Sequence, residues 1–197
     1  NVTLNDTGAL DLAASTIGGT LLVTAGGNIT QSGILTVSGA ATFATAAGSN
    51  ITLGSANEFS TVAITRGSNV TLNDTNALDL AASTIGGTLL VTAGGNITQS
   101  GILTVSGTAT FATAAGSNIT LGSANEFSTV AITRGSNVTL NDTNALDLAA
   151  STIGGTLLVT AGGNITQSGI LTVSGAATFT TAAGSNITLG SANEFST

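Results

Sequence analysis

NITQSGILTVSG, Asn28 to Gly39, recurs letter for letter from Asn96 and again from Asn164. Within it, Ile29 and the run Ile34-Leu-Thr-Val37 set apolar and hydroxyl-bearing residues in alternation, with Gly and Ser at the borders. Period-two alternation of Val, Ile, Leu and Thr between turn residues is the signature of short half-buried strands. No neighbouring segment sustains a helical period with caps, so helix is expected to be close to nil.

Working outward, the whole chain repeats every 68 residues: 1 to 68, 69 to 136 and a shorter third copy, 137 to 197. Three positions differ among the copies, namely Gly8/Asn76/Asn144, Ala40/Thr108/Ala176 and Ala44/Ala112/Thr180. A smaller unit lies inside each copy. The tetrapeptide Asn-(Val/Ile)-Thr-(Leu/Gln) begins at Asn1, Asn28, Asn50, Asn69, Asn96, Asn118, Asn137, Asn164 and Asn186, at spacings of 27, 22 and 19. Each interval divides into three alternating runs, such as VTL, ALDLA and TLLVTA.

Unequal intervals that return to one tetrapeptide predict an all-β, right-handed parallel β-helix of three short strands per rung, three rungs per copy. A rung cannot bury its own apolar residues; stacked rungs can. The expected stack places Val2 over Ile29 and Ile29 over Ile51, with the surplus residues of the long interval looped out at corners around Asn5 to Gly8 and Ala14 to Gly19. The expected interior of the first copy is Val2, Leu4, Leu10, Leu12, Leu21, Val23, Ile29, Leu35, Val37, Phe43, Ile51, Leu53, Phe59, Val62 and Ile64. Nine rungs spaced at ~4.8 Å would make a rod about 43 Å long.

Composition bounds the function. The chain has nine acidic residues against two arginines, Arg66 and Arg134, a formal charge of −7. That argues against a grip on nucleic acid or anionic lipid, which needs clustered cations. No stretch offers the ~18 consecutive apolar residues of a spanning helix, so membrane insertion of this segment is not expected. There is no Cys or His. Asp6, Asp11 and Glu58 occur once per copy without basic or aromatic partners, so no catalytic residue, cofactor or metal ligand is assigned. The chain starts without Met and stops within a copy, and reads as a segment of something longer.

What remains is surface and ladder chemistry. The nine asparagines are expected to form a structural ladder, amide over amide, at a corner that Asn tolerates. The Thr two places on, at Thr3, Thr30, Thr52, Thr71, Thr98, Thr120, Thr139, Thr166 and Thr188, should face outward as one column of nine hydroxyls. Such an array suits ice or glycan, although Thr is also simply a good polar strand former. Leu22, Leu90 and Leu158 should also face outward and mark lateral contact between rods. Among the Asn-x-Thr tripeptides, Asn5, Asn73 and Asn141 are the better placed glycosylation acceptors.

The runs TLLVTAGGNITQSGILTVSGAATF and GSNITLGSANEFSTVAITRGSNVTLND, which between them recur through the chain, resemble the repeats of filamentous-haemagglutinin-like exoproteins exported by two-partner secretion. The resemblance implies a β-helix on the surface of a Gram-negative cell, an outer-membrane secretion partner, and roles in attachment and aggregation. The function expected is a stiff extracellular filament or adhesin stalk that contacts itself or a host or neighbouring cell. Alternatives are a self-associating fibre packing laterally or end to end, and a ligand surface built on the Thr column.

Overall fold

A computed structural model describes residues 1–196. Its strands are short, joined at Gly- and Ser-containing corners, and every strand pairing is parallel. Among the described residues there is no helix. The chain is a parallel β-solenoid with three strands to a turn, as the alternation predicted, but of about ten turns where nine rungs, three per copy, were expected. Backbone hydrogen bonds run along the axis from each turn to the next, such as Val2 N–H to Thr20 O at 2.8 Å and Ile29 N–H to Asn50 O at 2.9 Å.

The stacking register differs from the expected one. Val2 pairs with Leu21, not Ile29, and the column continues through Ala41, Val62 and Leu80. Ile29 takes Leu10 on one side and Ile51 on the other. A turn therefore closes in about 18 to 22 residues. The interval Asn1 to Asn28 is a full turn plus one further side: its surplus residues form strands, Leu10–Leu12 and Ser15–Ile17, and are not looped out. Apolar residues at alternate positions are worth more buried than extruded, so the chain winds them in.

This register sets the symmetry of the molecule. From Val2–Asp6 the pairing path runs through Leu21–Ala25, Leu35–Thr45, Ile51–Arg66, Leu78–Leu80, Ile97–Gln99 and Ile119–Arg134 to Val138–Asp142. That is seven steps for two copies, hence three and a half turns per copy. Successive copies are related by a half-turn screw, and Val70–Asp74 lies on the opposite side, between Ile51 and Leu89.

The interior is a continuous aliphatic column with phenylalanines set edge to face. Phe43 and Phe59 have ring centroids 6.1 Å apart at 75°, and Phe111 and Phe127 repeat the pair at 6.2 Å. This is a favoured aromatic geometry. The expected interior residues are buried from Leu12 onward. Val2 and Leu4 are 36% and 37% exposed, because the first turn is covered on one side only; their counterparts Val70 and Leu72 are 1% exposed.

Candidate functional site

The tetrapeptide asparagines do form ladders, in segments. Asn28 Oδ1 accepts the Asn50 N–H at 2.9 Å, Asn50 Oδ1 accepts the Asn69 N–H at 3.0 Å, and Asn69 Oδ1 accepts from the N–H and hydroxyl of Thr88, each at 3.0 Å. Asn96, Asn118, Asn137 and Thr156 repeat the run, and Asn164 Oδ1 takes the Asn186 N–H at 2.8 Å. Asn1 caps Thr20 directly at 2.9 Å. From Asn1 to Asn164 each amide satisfies a corner N–H that has no strand partner. The ladders run along the outside of a corner, exposed to half-buried, and each moves to the opposite side with the next copy.

The same half-turn breaks the expected hydroxyl column. Thr30, Thr52 and Thr71 stack on one side; Thr98, Thr120 and Thr139 stack on the other; Thr166 and Thr188 return to the first. Thr3 stands apart beside Leu22. Asp11, Asp79 and Asp147 begin the blocks, each accepting a Thr hydroxyl: Thr30 at 2.8 Å, Thr98 at 3.1 Å and Thr166 at 3.0 Å. Hydrogen bonds from Ser32 and Thr30 hold the Asp11 carboxyl below its ordinary value of 3.8. Leu90 and Leu158 end two blocks. A flat array of nine hydroxyls does not exist; the longest unbroken run is three.

Leu22, Leu90 and Leu158 are exposed, at 41 to 42%, and lie on alternate sides with outward threonines as paired neighbours. They do not join into one apolar stripe. Ile34, Ile102 and Ile170 are more exposed, at 49 to 51%, and were not singled out from sequence. Asn73 and Asn141 are poor acceptors for a glycan, since their Nδ2 atoms donate to the carbonyls of Gly54 and Gly122 at 3.2 Å.

Sequence reasoning missed the polar residues of the interior. Asn57 and Asn125 are 0% exposed, between the strand runs at Leu53 and Phe59 and their counterparts. Asn57 Oδ1 accepts the Leu35 N–H at 2.9 Å and a bond from Gln31 Nε2; Nδ2 donates to the carbonyls of Leu53 at 3.3 Å and Asn73 at 3.1 Å. The pairing register shifts between Leu53 and Asn57, and the amide takes up the backbone groups that the shift leaves unpaired. Asp74, 2% exposed, accepts from Phe59 N–H at 2.6 Å and Asn76 N–H at 2.8 Å. Burial raises its pKa against those two bonds, and the charge of Glu58 pushes the same way. Ser83 Oγ accepts the Ile64 N–H at 2.9 Å, in the gap between the strands Leu78–Leu80 and Ser83–Ile85. Every buried side-chain donor and acceptor among the described residues has a partner.

Beside Glu58, Glu126 and Glu194 the surface dips into recesses; that at Glu126, about 360 Å³, is lined by Thr104, Ser106, Phe127, Ser128 and Asn144. A recess of about 300 Å³ borders Arg66 with Ser68 and Thr84. In two of the glutamate recesses a threonine hydroxyl donates to the glutamate, Thr36 to Glu58 and Thr104 to Glu126, each at 3.2 Å. They offer hydrogen bonds and one charge each.

No curated protein and no solved structure matches the chain. A family model does, once for each copy, at residues 1–66, 67–134 and 135–197, two residues out of step with the frame counted from Asn1. The matches cover the solenoid from end to end, and the chain belongs to the family described as Repeats of unknown function (DUF5649).

Proposed function

We propose that this structural repeat solenoid is a spacer in an extracellular filament or adhesin stalk of a Gram-negative cell, exported through an outer-membrane partner. The observation that carries the reading is the axial ladder: backbone bonds, asparagine caps and buried amides all run from turn to turn. Load along the axis is then shared among many parallel bonds, and bending requires opening a close-packed interior. The repeated side chains serve the ladder, and no catalytic role is proposed for any of them.

Copies add length in fixed steps. At a strand spacing of ~4.8 Å, three and a half turns give about 17 Å per copy. The test varies copy number in the parent protein on intact cells of the source organism. Electron microscopy and antibody accessibility should show surface filaments whose reach grows by ~17 Å per added copy. Absence of the repeat from the cell surface, or reach that ignores copy number, sinks the stalk reading.

A further inference from the structure

Charge along the rod is ordered more strictly than its scarcity suggests. Gly67 bridges to Ile85, setting Arg66 beside Thr84; Thr84 pairs with Thr104, and Thr104 with Glu126. Arg66, Thr84, Thr104 and Glu126 thus form one outward row, with Arg and Glu three turns apart. The half-turn screw repeats the row on the opposite side as Arg134, Thr152, Thr172 and Glu194. On that side Arg134 leads back through Ala112, Thr92 and Asn73 to the turn that holds Glu58, four turns away. One side therefore carries Glu58, Arg134 four turns on and Glu194 three turns further, and the other carries Arg66 and, three turns on, Glu126.

Both charged groups are held for contact. The Nε of Arg66 donates to Thr45 O, and that of Arg134 to Thr113 O, and among the described residues the terminal guanidinium nitrogens have no hydrogen-bond partner. Glu126 accepts the Thr104 hydroxyl at 3.2 Å on Oε2 and stands at the rim of its recess, with Ser106 and Ser128 adjacent. Between them the row itself carries only threonines, with the exposed Ile102 two residues from Thr104 along its turn.

We infer that this row is a docking surface for a second copy of the chain, lying antiparallel, with each guanidinium seated at the other rod's glutamate recess. Direction follows from the unequal spacing. With Arg at turn 0 and Glu at turn 3 of a seven-turn period, a reversed rod slid by three turns sets every Arg on a Glu and every Glu on an Arg. A rod in the same direction satisfies one set and misses the other by a turn, ~4.8 Å. The antiparallel contact is isologous and gives two reciprocal ion pairs, Arg66 to Glu126 and Glu126 to Arg66. Exposed pairs are individually weak and screened by salt, so the contact gains strength from repetition along the rod. It is compatible with a stalk of single rods at high salt and goes beyond that reading.

The chain has no cysteine, so introduced thiols report position directly. In the antiparallel dimer Thr84 of one rod faces Thr104 of the other. At low ionic strength a T84C chain mixed with a T104C chain should cross-link through a short bismaleimide, whereas A44C with itself, one turn before Arg66 and so five turns (~24 Å) from its counterpart, should not. Charge reversal, R66E with R134E, should weaken association by about tenfold, the loss of two exposed pairs, and mixing with an E58R, E126R, E194R chain should restore it. Sedimentation should follow the same order. Failure of the mixed cross-link, or linking of A44C to itself, overturns the inference while leaving the stalk reading intact. The thiol test keeps both arginines, so it decides the matter even if the reversed chain folds poorly.

Discussion

The side-chain oxygen of Asn57 accepts the backbone N–H of Leu35 at 2.9 Å, inside the solenoid, where the strand above has slipped out of register. One amide replaces the missing strand contact and bonds with Gln31 as well. Replacing Asn57 and Asn125 by Leu should cost about 1 to 3 kcal/mol per site, the penalty of stranded buried backbone groups. Urea denaturation measures the loss, and amide exchange at Leu35 and Leu103 should quicken first.

Glycine tolerance should divide by position. A Cβ on Gly94 would sit 2.0 Å from the Thr75 carbonyl oxygen of the adjacent turn, whereas one on Gly122 would meet nothing within 4 Å. Gly94→Ala is expected to lower stability by about 1 to 3 kcal/mol and Gly122→Ala to stay within about 0.5 kcal/mol. Equal thermal midpoints for the two variants would contradict the turn spacing given above.

Acid should act in two directions. Asp74 and Asp142 have raised pKa values, chiefly from burial, so the folded chain holds their protons more tightly than the unfolded chain. Their contribution is fully present below the ordinary value of 3.8 and is lost as pH rises through the raised value. Asp11, lowered by Ser32 and Thr30, contributes the opposite way: present above 3.8, lost as pH falls. Carboxyl titration followed by NMR should place Asp74 and Asp142 above Asp11. The reverse order would contradict the buried geometry.

Removing an interior ring should be the costliest single change. Phe111 is 0% exposed and packs edge to face on Phe127. Phe111→Ala is expected to cost about 3 to 5 kcal/mol, against less than about 0.5 kcal/mol for the outward Leu90→Lys, with thermal unfolding as the readout.

Parity along the strands was enough to read most of the interior, and it also marked residues that were passed over. Leu53, Asn57 and Phe59 share one phase, as do Val70, Leu72 and Asp74. The pattern pointed Asn57 and Asp74 inward, but a polar residue at an inward position reads as a strand end until the partner that satisfies it is visible. Gln31 is 26 residues away and one turn or more removed. The Thr column and the outward leucines were assigned the right orientation and the wrong neighbours, for one reason: the interval of 27 was counted as a single rung.

The sequence by itself determined that the chain is parallel β, that its interior is aliphatic with phenylalanine, and that its corners are capped by asparagine, because these follow from alternation and residue type within a few positions. Only the tertiary structure decided how many residues close a turn. That number depends on which corners bend and which strands slip register, and neither is local. It fixes three and a half turns per copy, and so sends identical residues to opposite sides of the rod, dividing the hydroxyl column while aligning Arg66 with Glu126.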